Sequence, residues 1–423
     1  MCVAFSALAT TVAAGQPPAG LTHEAQLFGH IGHHPQAGAK FGCAVAVAGD
    51  TAVVGAPFDD VDVALDIGAA YVFVRSGTGW ILQQKLIADD GSAGDFFGIS
   101  VSLSGDTAVV GARLHDTVAG ADAGSAYVFV RSGTTWTLQQ KLSASDGAAG
   151  DSFGTSVSVS GDTLVVGAPV ADTAGGVDAG AAYAFVRSGT TWTEQQKIVP
   201  PDARANEDFG FSAALSGDSV VIGAPSDDIL PGFSAGSAHV FVRSGTSWSL
   251  QQKLVSSHEA EGDAFGFSVS ISGDTVVVGA FADDTGPDTD AGSAYVFVRA
   301  GPTWTQQQRL AASDAARGDY FGYAVSVSGD AALVGAVLHE TPAGADAGAA
   351  YVFARSGTIW SEQQRLVAPN RMAADAFGYA VALTTDTAVV GVPADDAPGG
   401  LDAGSAHVFR GSVAVGLTPF TVE

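Results

Sequence analysis

The chain has 423 residues, of which 47% are hydrophobic, 15% are charged and 55 are glycine; this excludes a disordered or collagen-like chain and allows a large core joined by tight turns. Acidic residues outnumber basic ones 44 to 18, and the formal charge of −26 repels nucleic acid and anionic membrane surfaces, leaving neutral or cationic partners, metal ions among them. The two cysteines, Cys2 and Cys43, cannot build a disulfide framework, so packing must hold the fold.

Residues 1–15 form a short run of apolar and small residues ending in Val12-Ala13-Ala14-Gly15. This is the pattern of a signal-peptide core and cleavage site, although no Lys or Arg stands at its start; a disordered leader is the alternative. No later segment supplies the ~20 uninterrupted apolar residues of a membrane-spanning helix.

A repeat then takes over. Phe-Gly pairs begin at Phe41, Phe97, Phe153, Phe209, Phe265, Phe321 and Phe377, at a constant spacing of 56 residues. A glycine keeps the same phase at Gly55, Gly111, Gly167, Gly223, Gly279, Gly335 and Gly391. All six tryptophans, Trp80, Trp136, Trp192, Trp248, Trp304 and Trp360, share one repeat position.

The second copy predicts four strands. Strand a, 97–104, alternates Phe97, Ile99, Val101 and Leu103 with Gly98, Ser100, Ser102 and Ser104, which is the period of two of a sheet with one bare face. Gly105-Asp106 turns the chain into strand b, 107–112, and a longer Asp/Gly-rich loop leads to strand c, 126–131; both are apolar runs suited to a sheet covered on two sides. After a second turn, strand d, 136–142, carries Gln139, Gln140 and Lys141 and reads as the solvated outer edge. Units of this kind cannot bury both faces alone, and seven of them predict an all-β, seven-bladed β-propeller of four-stranded antiparallel blades.

The seventh copy supplies strands a to c as far as about residue 410, but its tryptophan position falls on Gly416 and its Gln-Gln-Lys-Leu run is missing. Residues 22–27, Thr-His-Glu-Ala-Gln-Leu, resemble that missing strand, so the N-terminal strand is expected to complete the last blade; the tail, 411–423, competes for the place through residues 413–423. The propeller is thus expected to span 22–410.

These columns resemble the FG-GAP repeat family, whose propellers occur in integrin α-subunits and in many bacterial extracellular proteins. The Phe-Gly pairs are joined by Gly-Ala-Pro itself at 55–57, 167–169 and 223–225, and by variants such as Gly111-Ala112-Arg113, Gly279-Ala280-Phe281 and Gly391-Val392-Pro393. The resemblance implies a secreted or cell-surface binding or adhesion propeller with a protein or glycan ligand. It also implies calcium in an Asp-x-Asp-x-Asp-Gly loop between the Phe-Gly and Gly-Ala-Pro strands, but here that connection is only Ser-Gly-Asp, as at 104–106, too short to wrap an ion.

Chain direction places the b-to-c and d-to-a loops on one face and the short turns on the other. The long-loop face is acidic. In its b-to-c loops an Asp precedes an Asp-Ala-Gly by six residues, as in Asp172 with Asp178 and Asp396 with Asp402. One reading makes these carboxylates turn caps, with glycine supplying the positive φ. The other is Ca²⁺ bound by oxygen ligands where acids cluster: Asp59, Asp60, Asp62 and Asp66 in the first unit, Asp283, Asp284, Asp288 and Asp290 in the fifth.

His30, His33 and His34 form the one histidine cluster, which reads as a solvated loop rather than a zinc site. His115 and His339 occupy equivalent loop positions, and His239 and His407 replace a strand tyrosine. Arg113, Arg204, Arg317 and Arg371 are basic residues on the acidic face, and His258 stands beside Glu259 and Glu261. No nucleophile–base–orienter pattern, metalloprotease motif or phosphate loop is present. The functional expectation is a non-enzymatic binding propeller; the alternatives are a secreted polysaccharide-active lyase or hydrolase on the same scaffold, or a structural spacer.

Overall fold

The computed structural model describes residues 20–29, 36–61, 65–230, 233–258, 260–284, 289–341, 344–370, 372–398 and 400–413. It is an all-β, seven-bladed propeller of four-stranded antiparallel sheets, with no helix among the described residues. Blade 2 is representative: strand a is Phe97–Ser104, b Thr107–Ala112, c Ser125–Ser132 and d Thr135–Leu142, hydrogen-bonded in that order. Strands b are buried throughout, as their unbroken apolar runs require. Blade 7 contains Ala380–Leu383, Thr387–Val392 and Ser405–Ser412, and Gly20–Leu27 pairs antiparallel with the last of these.

The two signature motifs are the two halves of each seam between blades. All seven motif phenylalanines are fully buried. Each lies in a parallel bridge to the glycine that closes the b-to-c loop of the preceding blade, from Gly68 with Phe97 round to Phe41 with Gly404. The glycine after the phenylalanine has φ between +93° and +102° and turns its carbonyl onto the Gly-Ala-Pro glycine of the preceding blade. A Cβ on Gly111 would stand 2.0 Å from the Gly154 oxygen, and one on Gly391 would stand 2.0 Å from the Gly42 oxygen. No side chain fits at either position, so the 56-residue spacing repeats a steric requirement.

The outer strands are clasped by the Gln-Gln pair. In every blade the pairing of strands c and d slips by one residue, and in blades 1 to 6 the bulged residue is the first glutamine: Gln83, for example, lies between Leu82, opposite Phe73, and Gln84, opposite Val72. Turned out of the ladder, Gln83 accepts the indole N–H of Trp136 in the next blade at 2.8 Å. Gln84 binds the same tryptophan's backbone N–H and C=O, both at 2.8 Å, as an added strand would. The arrangement recurs through Gln308 and Trp360, and Gln364 makes the same double bond to Leu21 of the N-terminal strand. Between blades 7 and 1 the bulged residue is Glu24, which takes the Trp80 indole N–H at 3.0 Å and the Arg75 guanidinium at 2.7 Å. That ion pair is nearly buried, with the Arg75 side chain 5% and Glu24 12% exposed.

On the short-turn face one arginine in each of blades 1 to 6, such as Arg131, stacks over the blade's tryptophan, pairs with the turn aspartate Asp106 and donates to Thr51 of the preceding blade. These pairs are half-exposed and contribute about 0–1 kcal/mol each. Blade 7 has Gly411 at the arginine position, and the hydroxyl it would reach in blade 6 is replaced by Ala331.

The seam geometry predicts that Gly111→Ala destabilises the propeller by roughly 1–3 kcal/mol, because the added methyl meets backbone rather than a movable side chain. Gly79→Ala, whose Cβ would meet nothing closer than 4.0 Å, should fall within about 0.5 kcal/mol of the parent in urea unfolding.

Candidate binding face

Strand a begins where the d-to-a loop delivers the chain, so the residue after each Phe-Gly pair stands at the mouth of the axial channel on the long-loop face. Around the ring these residues are Cys43, Ile99, Thr155, Phe211, Phe267, Tyr323 and Tyr379. Together with the two residues that follow each of them they line an axial cavity of about 270 Å³. The mouth is lopsided: blades 4 to 7 give a crescent in which Phe211–Phe267, Phe267–Tyr323 and Tyr323–Tyr379 have centroids 4.9, 4.9 and 5.1 Å apart. Phe281, which replaces the proline of Gly-Ala-Pro, packs on Phe267 at 4.6 Å and on Tyr320 at 5.2 Å and backs the crescent. Burial raises both the Tyr323 and the Tyr379 phenols. Burial also pushes the Cys43 thiol up to about 12 against the opposing charges of Lys40 and Arg113, so it stays protonated at neutral pH.

The crescent escapes a search for repeating motifs because it occupies the column that varies. Subtracting the repeat and reading the residue after Phe-Gly in each unit would have exposed it.

Farther from the axis, every blade but the third, which has Ala171, places a polar group from its b-to-c loop beside strands c and d. Asp59 accepts from the Tyr71 hydroxyl and pairs with Lys85 at 3.0 Å; Asp283 accepts from the Tyr295 hydroxyl and pairs with Arg309 at 3.0 Å. Both carboxylates are buried and already matched by a cation. The next residues are turn caps: Asp60 Oδ1 accepts the Asp66 N–H and Asp284 Oδ1 the Asp290 N–H, each at 3.0 Å. Asp66 and Asp290 themselves adopt φ of 55° and 57°, so aspartate shares with glycine the left-handed positions of the turn. Asp62 and Asp288 lie outside the described residues, as do His30, His33, His34, Glu259 and Arg371. Among the described residues no group of three or more His, Cys, Asp or Glu side chains is placed to hold a metal ion.

Blades 2 and 6 put histidine where blades 1, 4, 5 and 7 have aspartate. His115 Nδ1 meets Asp95 at 2.6 Å and its Nε2 meets Lys141 at 2.5 Å; His339 meets Asp319 at 3.0 Å and Arg365 at 3.3 Å. Both ring nitrogens are engaged, which leaves no lone pair for proton abstraction from a substrate. His239 and His407 are buried where other blades carry tyrosine, and burial lowers His407 to about 3. His258 Nδ1 lies 2.9 Å from the Ser257 hydroxyl, and Arg204 donates to the Asp228 carbonyl at 3.1 Å.

Comparison with known families now decides the relationship. The FG-GAP repeat model matches residues 34–73, 80–129, 136–185, 192–241, 248–297, 304–353 and 360–409. The chain belongs to the FG-GAP repeat family. FG-GAP propellers are in general binding or adhesion scaffolds, and their repeats are typically extracellular. Among curated proteins, none matches this FG-GAP chain. Among solved structures it is similar to Saccharomyces cerevisiae Sqt1, at 10% identity over 92% of this chain and 98% of that one, with a TM-score of 0.48. It is also similar to a chain of the Mitotic Checkpoint Complex, at 11% identity over 96% and 100% of the two chains and a TM-score of 0.53, a likeness of fold alone. Among the described residues no helix is long and apolar enough to cross a membrane.

The d-to-a loops give this FG-GAP propeller an unusual pH response. In every unit but the first, which has Ala39, an acid stands two residues before the motif phenylalanine and caps the loop by accepting a backbone N–H, as Glu207 does from Arg204 at 2.8 Å. In blade 4 that acid faces Asp227, and Glu207 Oε1 and Asp227 Oδ1 are both buried with no hydrogen-bond partner. Burial first, then Asp227, raises Glu207 to about 7; burial, then Asp283, raises Asp263 to about 6, and burial, then Asp395, raises Asp375 to about 6. Carboxyls raised in the folded state stabilise it fully below their unfolded values near 4 and lose that contribution as pH climbs through 6 and 7. Thermal stability should therefore fall from pH 5 to pH 7. Glu207→Gln should flatten that fall, gaining about 1–3 kcal/mol at pH 7, as read by melting temperature across the range.

Proposed function

We propose that the chain is a non-enzymatic extracellular or cell-surface binding propeller whose partner, a protein or a glycan, seats on the acidic long-loop face around the axial mouth. The observation that carries this reading is the crescent of Phe211, Phe267, Tyr323 and Tyr379, all only half-buried, over an axial cavity. Half-exposed rings are costly to leave in water and are what a recognition surface uses as anchors.

The same face carries large apolar side chains at its loop tips. Leu65, Val177 and Leu401, from equivalent positions, are 64%, 60% and 72% exposed, and Val118 is fully exposed. Around them the acidic loops favour a neutral or basic partner and raise its encounter rate. An extracellular setting agrees with the family and with the signal-like pattern of residues 1–15.

Binding to a glycan array and to a panel of basic and neutral extracellular proteins tests the reading. Partners bound by the parent should be lost, by about tenfold or more, in Phe267→Ala/Tyr323→Ala, and kept in Ile81→Ser/Ile359→Ser on the outer strands. Retained binding in the mouth variant, or release of product from a polysaccharide, would overturn it.

A further inference from the structure

The strand that closes the ring carries a histidine pair that the repeat does not call for. His407 stands where five blades have Tyr71, Tyr127, Tyr183, Tyr295 and Tyr351. His23, opposite Phe409 in the pairing of Gly20–Leu27 with Ser405–Ser412, stands where blades 1, 2 and 4 have Leu82, Leu138 and Leu250. The two departures meet: His23 Nε2 lies 3.0 Å from His407 Nδ1, with the ring centroids 5.2 Å apart, and His407 is fully buried.

The hydrogen-bond chain fixes which nitrogen is bare. Ser405 gives its one hydroxyl proton to Asp395 at 2.5 Å, so the His407 Nε2–H, 3.4 Å from that hydroxyl, is the donor there. His407 Nδ1 is left as the acceptor for the His23 Nε2–H. A further proton on His407 enters at Nδ1, where it sets two N–H groups against each other. Among the described residues neither ring touches a carboxylate, in contrast to His115 with Asp95 and His339 with Asp319. The charged groups on the surrounding elements have other partners. Within blade 7, Asp395 also accepts from Gln26 at 2.9 Å, Asp375 caps the Met372 N–H, and Arg410 pairs with Asp386 at 3.4 Å. On the blade 1 side Arg75 pairs with Glu24 and Lys85 with Asp59, and on the blade 6 side Glu362 binds Ser313 and Arg365 binds Asp314.

We infer that the ring has an acid-sensitive latch: the His23–His407 pair holds the strand Gly20–Leu27 on blade 7 at neutral pH and lets it go in acid. Burial first, then His23, lowers His407 to about 3, and burial lowers His23 as well. When the strand leaves, His407 regains its ordinary value of 6.5, so the released form takes up a proton that the closed form refuses. A histidine lowered in the closed state stabilises that state fully above 6.5 and loses the contribution as pH falls below it. The raised carboxyls Glu207, Asp263 and Asp375 respond in the opposite sense and cannot imitate the effect. Release bares the Ser405–Ser412 edge, which is then free to pair with another strand.

Amide hydrogen exchange of Gly20–Leu27 in the full chain, corrected for the intrinsic rate at each pH, tests the latch against the equivalent outer strand of blade 2, Thr135–Leu142. Opening of the N-terminal strand should rise about ten- to thirtyfold from pH 7 to pH 5, with the blade 2 strand unchanged. His407→Tyr restores the residue whose hydroxyl binds Asp59 in blade 1, and it should flatten that rise. His407→Phe, which keeps a ring that does not titrate, should do the same. An N-terminal strand whose opening is indifferent to pH, or a rise that persists in both variants, overturns the latch. A rise shared equally by Thr135–Leu142 also overturns it, because the whole propeller would then be loosening.

Discussion

Everything in this molecule depends on a backbone-to-backbone contact at the seams: the carbonyl of one blade's Phe-Gly glycine pressed against the α-carbon of the preceding blade's Gly-Ala-Pro glycine. The contact allows no side chain on either partner, and it recurs from Gly55 with Gly98 round to Gly391 with Gly42. Fully buried phenylalanines beside it supply the apolar burial that drives blades together. The glycines set how close the blades come, and closeness sets the number of blades that complete a turn.

Two further layers secure the same seams. Toward the axis, strand-a serines reach across to the next inner strand, as when Ser102 accepts the Val159 N–H at 3.0 Å and Ser100 donates to the Gly154 carbonyl at 2.8 Å. At the rim, the bulged and following glutamines bind the neighbouring tryptophan, which covers edge groups that would otherwise recruit another strand. Blade 7, with Ala380 and Ala382 at the first two serine positions, is joined to blade 1 by the nearly buried Arg75–Glu24 pair.

The fold was legible because its determinants are periodic. Phe-Gly, Gly-Ala-Pro and tryptophan columns each answer a steric or hydrogen-bonding need that every seam repeats, so the sequence states them seven times or nearly so. The role of Gln-Gln was not legible: its polarity marked an outer edge, while the bulge that turns the first glutamine toward Trp136 is a matter of register. The binding face was legible as a side and not as a place. Asp60 and Asp66 stood out by charge, yet in the fold one caps the other's N–H, whereas Phe267 and Tyr323 are ordinary residues until the ring brings them into contact. The proposed site sits where the repeat is free to vary, and periodicity carries no information there.

The central claim is that all seven seams are equivalent and the ring is closed. Each motif phenylalanine donates its backbone N–H across a seam, from Phe97 to Ile67 at 2.8 Å to Phe41 to Ala403 at 3.0 Å, so amide hydrogen exchange reads each seam separately. The account predicts that the Phe41 amide is protected as strongly as those of Phe97, Phe153, Phe209, Phe265, Phe321 and Phe377, all exchanging only through global unfolding. A Phe41 amide exchanging at the rate of the surface loops, with the other six protected, would mean an open ring and contradict it.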